Sequence, residues 1–330
     1  MKNRCRYDES GHNHFVFASP CLFFGGLLIL FFSQQLQAMS FFNNENALEI
    51  EKVSNNVFAV VGKRGPMTKK DLGTNATFGF ILHDNGVIVV DPGASYLGAK
   101  RIYHKIRKIT DKPITHVINT GSGSHRWLGN AFYKKSNVNI IASNAAVIHQ
   151  KKIENNLLTQ LSSLLTEDGM KGTTPLYADI TFDFKKTLSI GKRRIELIQV
   201  GPAYAPGDTL VWLPDQKILF SGDVISVDRL PAIAASSNTT RWLEVFNTIE
   251  ALEPEKIIPG HGNVSNLQKA KKSTKDYIVD LRKGVRKLLQ NEGELDEVSK
   301  IDQSKYKDNI GFSMLSGRNA HQVFQELEWE

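Results

Sequence analysis

The sequence predicts an α/β protein in which two β-sheets pack face to face and helices cover the outside, an αββα sandwich of four layers. Three observations predict it. Short apolar runs bounded by turn residues recur along the chain. They alternate with longer stretches of helical spacing, in the order strands, helix, strand, helix, and that order then repeats. No linker separates the two halves, so residues 39–330 read as one domain with a helical C-terminal extension.

The first 38 residues stand apart from that globule. Lys2, Arg4 and Arg6 give a basic start, and Cys21 to Phe32 is an unbroken apolar run of 12 residues. That length suits the core of a secretory signal, with Ser33 to Ala38 offering a cleavage site after Ala38. The alternative is an uncleaved membrane anchor over residues 15–32, although Pro20, Gly25 and Gly26 weaken a helix there. The expected address is periplasmic or otherwise exported. Both cysteines, Cys5 and Cys21, lie in this leader. The mature chain would then have none, which excludes a disulfide framework, a thiolate nucleophile and thiolate metal ligands. The formal charge is +7, with many of the cations in Lys269 to Lys287. On a helix these form a solvated face. Nucleic-acid binding would call for interleaved aromatics, and Tyr277 alone does not supply them.

Within the domain, Glu49 to Val53 and Val57 to Val61 read as strands around Ser54-Asn55-Asn56. Phe78 to His83 and Val87 to Val90 form a hairpin around Asp84-Asn85-Gly86. Tyr96 to Ile109 carries Leu97, Ile102, Ile106 and Ile109 at helical spacing. Ile114 to Asn119 and Asn139 to Ala142 are strands, and a long helix comes next, from about Ala145 to Leu165. Ile180 to Phe184, Thr187 to Ile190, Arg194 to Val200, Thr209 to Leu213 and Lys217 to Ser221 look like successive strands of the second half. Arg241 to Leu252 is a helix, Lys256 to Ile258 a strand and Val264 to Gln290 a long helix. Ala320 to Leu327 closes the chain as a helix.

Five motifs sit at the ends of these strands. They are Asp91-Pro92-Gly93; Asn119-Thr120 with Trp127-Leu128-Gly129-Asn130 shortly after; Gly201 to Thr209; Ser221-Gly222-Asp223; and Pro259-Gly260-His261-Gly262. In their order and separation they resemble the motifs of the metallo-β-lactamase superfamily, over roughly residues 48–290. Trp127 to Asn130 and the C-terminal tail are similar to the branch of exported metallohydrolases linked to sulfur oxidation and quinoprotein relay systems.

The resemblance implies the sandwich fold, a cleft at one edge of it, and zinc held there by imidazole and carboxylate. It also implies which residues stand at the ligand positions, and here the sequence departs from the family. The expected His-x-His-x-Asp-His after Asn119-Thr120 is Gly121-Ser122-Gly123-Ser124-His125-Arg126. Tyr204 stands where a third histidine of the first metal is usual. All three ligands of that metal are thereby replaced. For the second metal Asp223 and His261 are in place, His125 could stand in for the lost aspartate, and Arg126 replaces a histidine. Asp91 matches the family's buried supporting aspartate.

Two readings result. In the first, one Zn2+ sits at His125, Asp223 and His261, with Asp223 and His125 as the groups that carry hydrolysis of an ester, thioester or lactam. In the second, Arg126 pairs with Asp223 and fills the metal's place, leaving a non-catalytic or atypical protein that uses the cleft to bind a small molecule or a periplasmic protein. Arg126, Tyr204 and Trp127 are expected at the cleft, with Gly169 to Tyr177 and Asp228 to Thr240 as the loops that shape it. Metal-free catalysis by His125, Tyr204, Arg126 and His261 is a third course, for which the sequence shows no nucleophile–base pair.

Overall fold

A computed structural model describes residues 48–134 and 137–330. The expected leader, its cleavage site and the alternative anchor lie outside these residues. Among the described residues no helix is long and apolar enough to cross a membrane.

The first sheet holds β1 (Glu49–Lys52), β2 (Val57–Val61), β3 (Thr77–His83), β4 (Gly86–Val90), β5 (Ile114–Ile118), β6 (Asn139–Ser143) and β7 (Ile180–Phe182), side by side in chain order. The second runs β12 (Lys256–Ile258), β11 (Ile218–Phe220), β10 (Thr209–Leu213), β9 (Arg193–Gln199) and β8 (Lys185–Ile190). One expectation is corrected: β7 does not open the second half's run of strands. It pairs parallel with β6, at the edge of the first sheet. A three-residue strand carries too little pattern to announce its partner.

Strand β4 shows why this sequence makes layers. Val87 and Val89 face one apolar cluster with Ile102 and Ile106 of helix α1 (Tyr96–Arg107). Ile88 and Val90 point the other way, into a cluster shared with Leu197, Val211 and Phe220 of the second sheet. Strand β10 mirrors it, with Val211 and Leu213 between the sheets and Leu210 and Trp212 against the outer helices. Alternation with both faces apolar leaves no solvated side, so each sheet is covered twice. Each side chain of this kind contributes about 1.5–3 kcal/mol through burial.

The other main helices are α2 (Asn144–Met170), α3 (Thr239–Leu252), α4 (Asp276–Gln290) and α5 (Phe312–Leu327). Helix α2 is interrupted at Thr166, whose φ is 65°. The stretch before α4 starts at Leu267 rather than Val264 and passes through a π turn over Lys271–Lys275. Helix α5 begins eight residues before the expected Ala320.

Strands β4 and β5 are parallel, as are β11 and β12. The segments after them therefore emerge at shared edges, and the bond from the Thr77 N–H to the Gly260 carbonyl (2.8 Å) ties the two sheets together there. Asp91, Asn119, Asp223 and His261 all leave strands at this edge.

Candidate active-site cleft

Arg126 lies in a one-turn helix, Ser124–Trp127, and its side chain is wholly buried. It turns toward Asp223. Nε donates to Asp223 Oδ2 at 3.1 Å and Nη2 to Oδ1 at 2.6 Å, a two-pronged pair. Nη1 donates to Asp91 Oδ2 (2.7 Å) and to the Thr77 carbonyl (3.1 Å), and Nη2 also to the Gly260 carbonyl (3.1 Å). All five N–H groups of the guanidinium are thus donated. Burial alone would lower its pKa, but Asp223 and Asp91 together raise it above the ordinary arginine value.

The two carboxylates respond differently. Burial pushes Asp223 upward, yet Arg126 and His125 outweigh it and hold the carboxyl well below the usual range. Asp91 stays raised by burial despite Arg126. It is fixed by Thr120, whose N–H (2.8 Å) and hydroxyl (2.8 Å) both donate to it, and its own φ of 64° turns the chain sharply after β4. Asp91, expected in a supporting place, lies buried with Arg126 and Thr120 as its partners.

His125, Asp223 and His261 come together. Nε2 of His125 is 3.0 Å from Asp223 Oδ1, and Nε2 of His261 is 3.4 Å from the same atom. One donor atom from each of the three residues lies within 4.8 Å of the others. Nδ1 of His261 faces two partners that demand opposite tautomers: Arg229 Nη1 at 3.1 Å, which can only donate, and the Asn75 carbonyl at 3.2 Å, which can only accept. Burial, then the Arg229 charge, brings the His261 pKa down to about 3, so the ring is neutral.

Tyr204 stands edge-on to Trp242, with ring centres 6.3 Å apart. Burial, then Asp223 and Asp208, push its phenol above the ordinary tyrosine pKa, so it keeps its proton and offers an O–H rather than a phenolate. Gly121 and Gly123 bring no donor. A Cβ at 121 would lie 3.3 Å from Asp208 Oδ1, and one at 123 would lie 3.1 Å from Asp223 Oδ2. Asp208 itself, wholly surrounded and taking N–H bonds from Ala205 (2.8 Å) and Ala203 (3.3 Å), is pushed by burial up to about 7.

A cavity of about 310 Å³ opens over this edge. His125, Tyr204, Asp223, Arg229 and His261 face it, and Met67, Leu164 and Met314 give it apolar walls. Two expectations change here. Trp127 is not a cleft wall: it is fully buried, stacks on Tyr177 (5.4 Å between centres) and donates Nε1–H to the Ser122 carbonyl. Arg126 lies behind the cleft and not on its surface. Of the two expected loops, Asp228 to Thr240 contributes Arg229 and Ala232, whereas none of Gly169 to Tyr177 lines the cavity. Nothing in the sequence pattern singles out Arg229. Its one signal is being the basic residue of the loop Asp228 to Thr240.

The family model of the metallo-beta-lactamase superfamily matches residues 72–261. A linear primary-alkylsulfatase of Pseudomonas sp. is 25% identical over 229 residues, covering 58% of this chain and 43% of that enzyme. A type 2 metallo-beta-lactamase of Bacteroides fragilis is 26% identical over 81 residues, 23% of this chain and 32% of that enzyme. The chain thus spans less than half the length of either curated relative. Among solved structures, a metallo-beta-lactamase from Pontibacter korlensis aligns with a TM-score of 0.55 at 16% identity, over 68% of this chain and 95% of that one. A double mutant of the sec-alkyl sulfatase PisA1 aligns with a TM-score of 0.66 at 14% identity, over 87% of this chain and 52% of that one. With more than half of its residues matched by the family model, the chain belongs to the metallo-beta-lactamase superfamily.

Proposed function

We propose that this protein binds a small molecule in the cleft without a resident metal, and that Arg126 stands where the family's second metal would be held. The observation that carries the reading is the saturated Arg126 guanidinium, which takes both oxygens of Asp223. A divalent ion at Asp223 would meet a permanent cation 2.6 Å from its oxygen ligand. At the first site Gly121 and Gly123 have no donors, and a protonated Tyr204 is a poor ligand. The residues at the first site do not fit a zinc ion, and those at the second fit one poorly. Metal analysis of the purified protein after reconstitution with zinc tests the reading. We expect no stoichiometric metal and an unchanged melting temperature; one zinc per chain with a raised melting temperature overturns it.

One observation favours a second reading, a mononuclear hydrolase: the donor atoms of His125, Asp223 and His261 are grouped within 4.8 Å. Zinc there would supply Lewis acidity, and the names of the relatives suggest a sulfate ester or a lactam as substrate. Zinc-dependent turnover that Asp223→Ala abolishes would establish it. We also propose, from the leader, that the protein is exported; cell fractionation checks this.

A further inference from the structure

Among the described residues Arg229 is a buried cation with no ion pair. Its relative exposure is 9%, and among the described residues its side chain has one hydrogen-bond partner, Nδ1 of His261. An imidazole offers no negative charge. Asp223, the carboxylate whose charge reaches it, already has both oxygens engaged by Arg126 and the two histidines. Its chain neighbour Asp228 instead pairs with Lys269 at 2.8 Å and with Arg64 at 3.7 Å. Several of Arg229's N–H groups therefore have no partner among the described residues, on a side chain that lines the cavity, where an uncompensated charge is costly.

The rest of the cavity says what could meet them. Tyr204 adds a hydroxyl to the lining. Met67, Leu164 and Met314 line the cavity too, with Leu164 48% and Met314 42% exposed. A site with one cation, one hydroxyl and thioether and aliphatic walls suits a molecule with a single anionic head and an apolar body.

We infer that the cavity binds an organic monoanion, its oxyanion head on Arg229 and its apolar body along Met67, Leu164 and Met314. This rests on the reading of the cleft as metal-free. The shared chemistry of the head is an oxyanion, which a carboxylate or a sulfate ester could supply.

Titration calorimetry on the full chain in the presence of EDTA tests it, with octyl sulfate, octanoate, octanol, octyltrimethylammonium and inorganic sulfate as probes. The expected result is that one or both octyl anions bind at least about tenfold more tightly than octanol, the octyl cation or free sulfate. Which anion prevails identifies the head. Arg229→Met should remove that preference while keeping octanol binding. Equal affinity for octanol and both anions overturns the inference, as does an anion preference that survives in Arg229→Met; either result leaves the metal-free reading standing. Should the variant fail to fold, the octanol comparison on the parent chain decides by itself. Binding that appears only when zinc replaces EDTA overturns the metal-free reading and this inference with it. Metal analysis of the same samples tells the two failures apart.

Discussion

Asp91 and Asp223 converge on Arg126 from the ends of two strands in different sheets, so the guanidinium both balances their charge and cross-links the sheets. Arg126→Met would leave two buried carboxylates without their shared cation and take one donor from each of the Thr77 and Gly260 carbonyls. A loss of about 3–5 kcal/mol is expected in urea denaturation. Arg126→Lys should recover only part, because one ammonium cannot reproduce a planar five-donor fork. A loss below about 1 kcal/mol in Arg126→Met would show that the network is dispensable. The pH dependence gives a second residue-scale prediction. His261 is held at about 3 in the folded state against ~6.5 unfolded, so between those values the unfolded chain binds the extra proton and stability falls as pH drops. Asp208 is raised to about 7 against ~3.9, so there the folded chain holds the proton and stability falls as pH rises. Between about pH 4 and 6.5 the two slopes, each ~1.4 kcal/mol per pH unit, oppose each other. Denaturation midpoints should show this directly. His261→Gln should lose stability with rising pH across that window, and Asp208→Asn should lose it with falling pH; curves parallel to the parent would refute both. Below about pH 4 the depressed Asp223 adds its own loss as pH falls. Sequence puts Arg126 beside the question of Asp223 but cannot answer it. Its acceptors Thr77, Asp91, Asp223 and Gly260 are 35 to 134 residues distant, and only the closed sandwich assembles them.

At the scale of elements, most strands are legible to within about two residues because both sheets bury alternate faces and Asp84-Asn85 fixes the first hairpin's register, with His83 opposite Gly86. Helix α5 is longer than its apolar pattern suggests, for a physical reason. Its first half, Phe312 to Asn319, contains Ser313, Ser316, Gly317, Arg318 and Asn319, which hide the periodicity. Asn319 is nevertheless fully buried, where it serves as a hydrogen-bonding post. The break in α2 is not legible either, since Thr166 announces no turn. It holds φ 65° and ψ 169°, a region β-branched residues avoid, and its hydroxyl is buried without a partner. Thr166→Gly should relieve both, raising stability by about 1 kcal/mol and the melting temperature by roughly 2–4 °C after the entropy of the added glycine is counted. Calorimetric scans of the two proteins suffice; a lowered melting temperature would show that the threonine methyl packs more strongly than its backbone is strained.

At the scale of the molecule, the matched family region ends at residue 261, and the C-terminal part of the chain is built back onto the cleft. The chain at Ile310 pairs with the loop that carries Arg229, through bonds from Leu230 N–H to the Ile310 carbonyl (3.0 Å) and from Ile310 N–H to the Asp228 carbonyl (3.2 Å). Leu315, Val323, Phe324 and Leu327 of α5 then join Tyr277, Ile278 and Leu281 of α4 in one apolar cluster. Asn319 spans the two. Its Oδ1 accepts from the Ile233 N–H (2.9 Å), and its Nδ2 donates to the Pro231 carbonyl (2.8 Å) and the Tyr277 hydroxyl (3.0 Å). The tail thereby sets where residues 228–233 sit and supplies Met314 to the cavity. Asn319→Leu keeps the volume but orphans a buried N–H and a buried carbonyl, at about 1–3 kcal/mol for each group left unpaired. Because those groups belong to the Arg229 loop, the loss should be local as well as global. Amide exchange at Ile233 should accelerate more than exchange at Val89 or Val211 in the sheets, and the preference for anions over octanol should weaken in the same variant. Uniform acceleration across all three amides, with anion preference intact, would mean that the tail stabilises the fold without positioning the cleft.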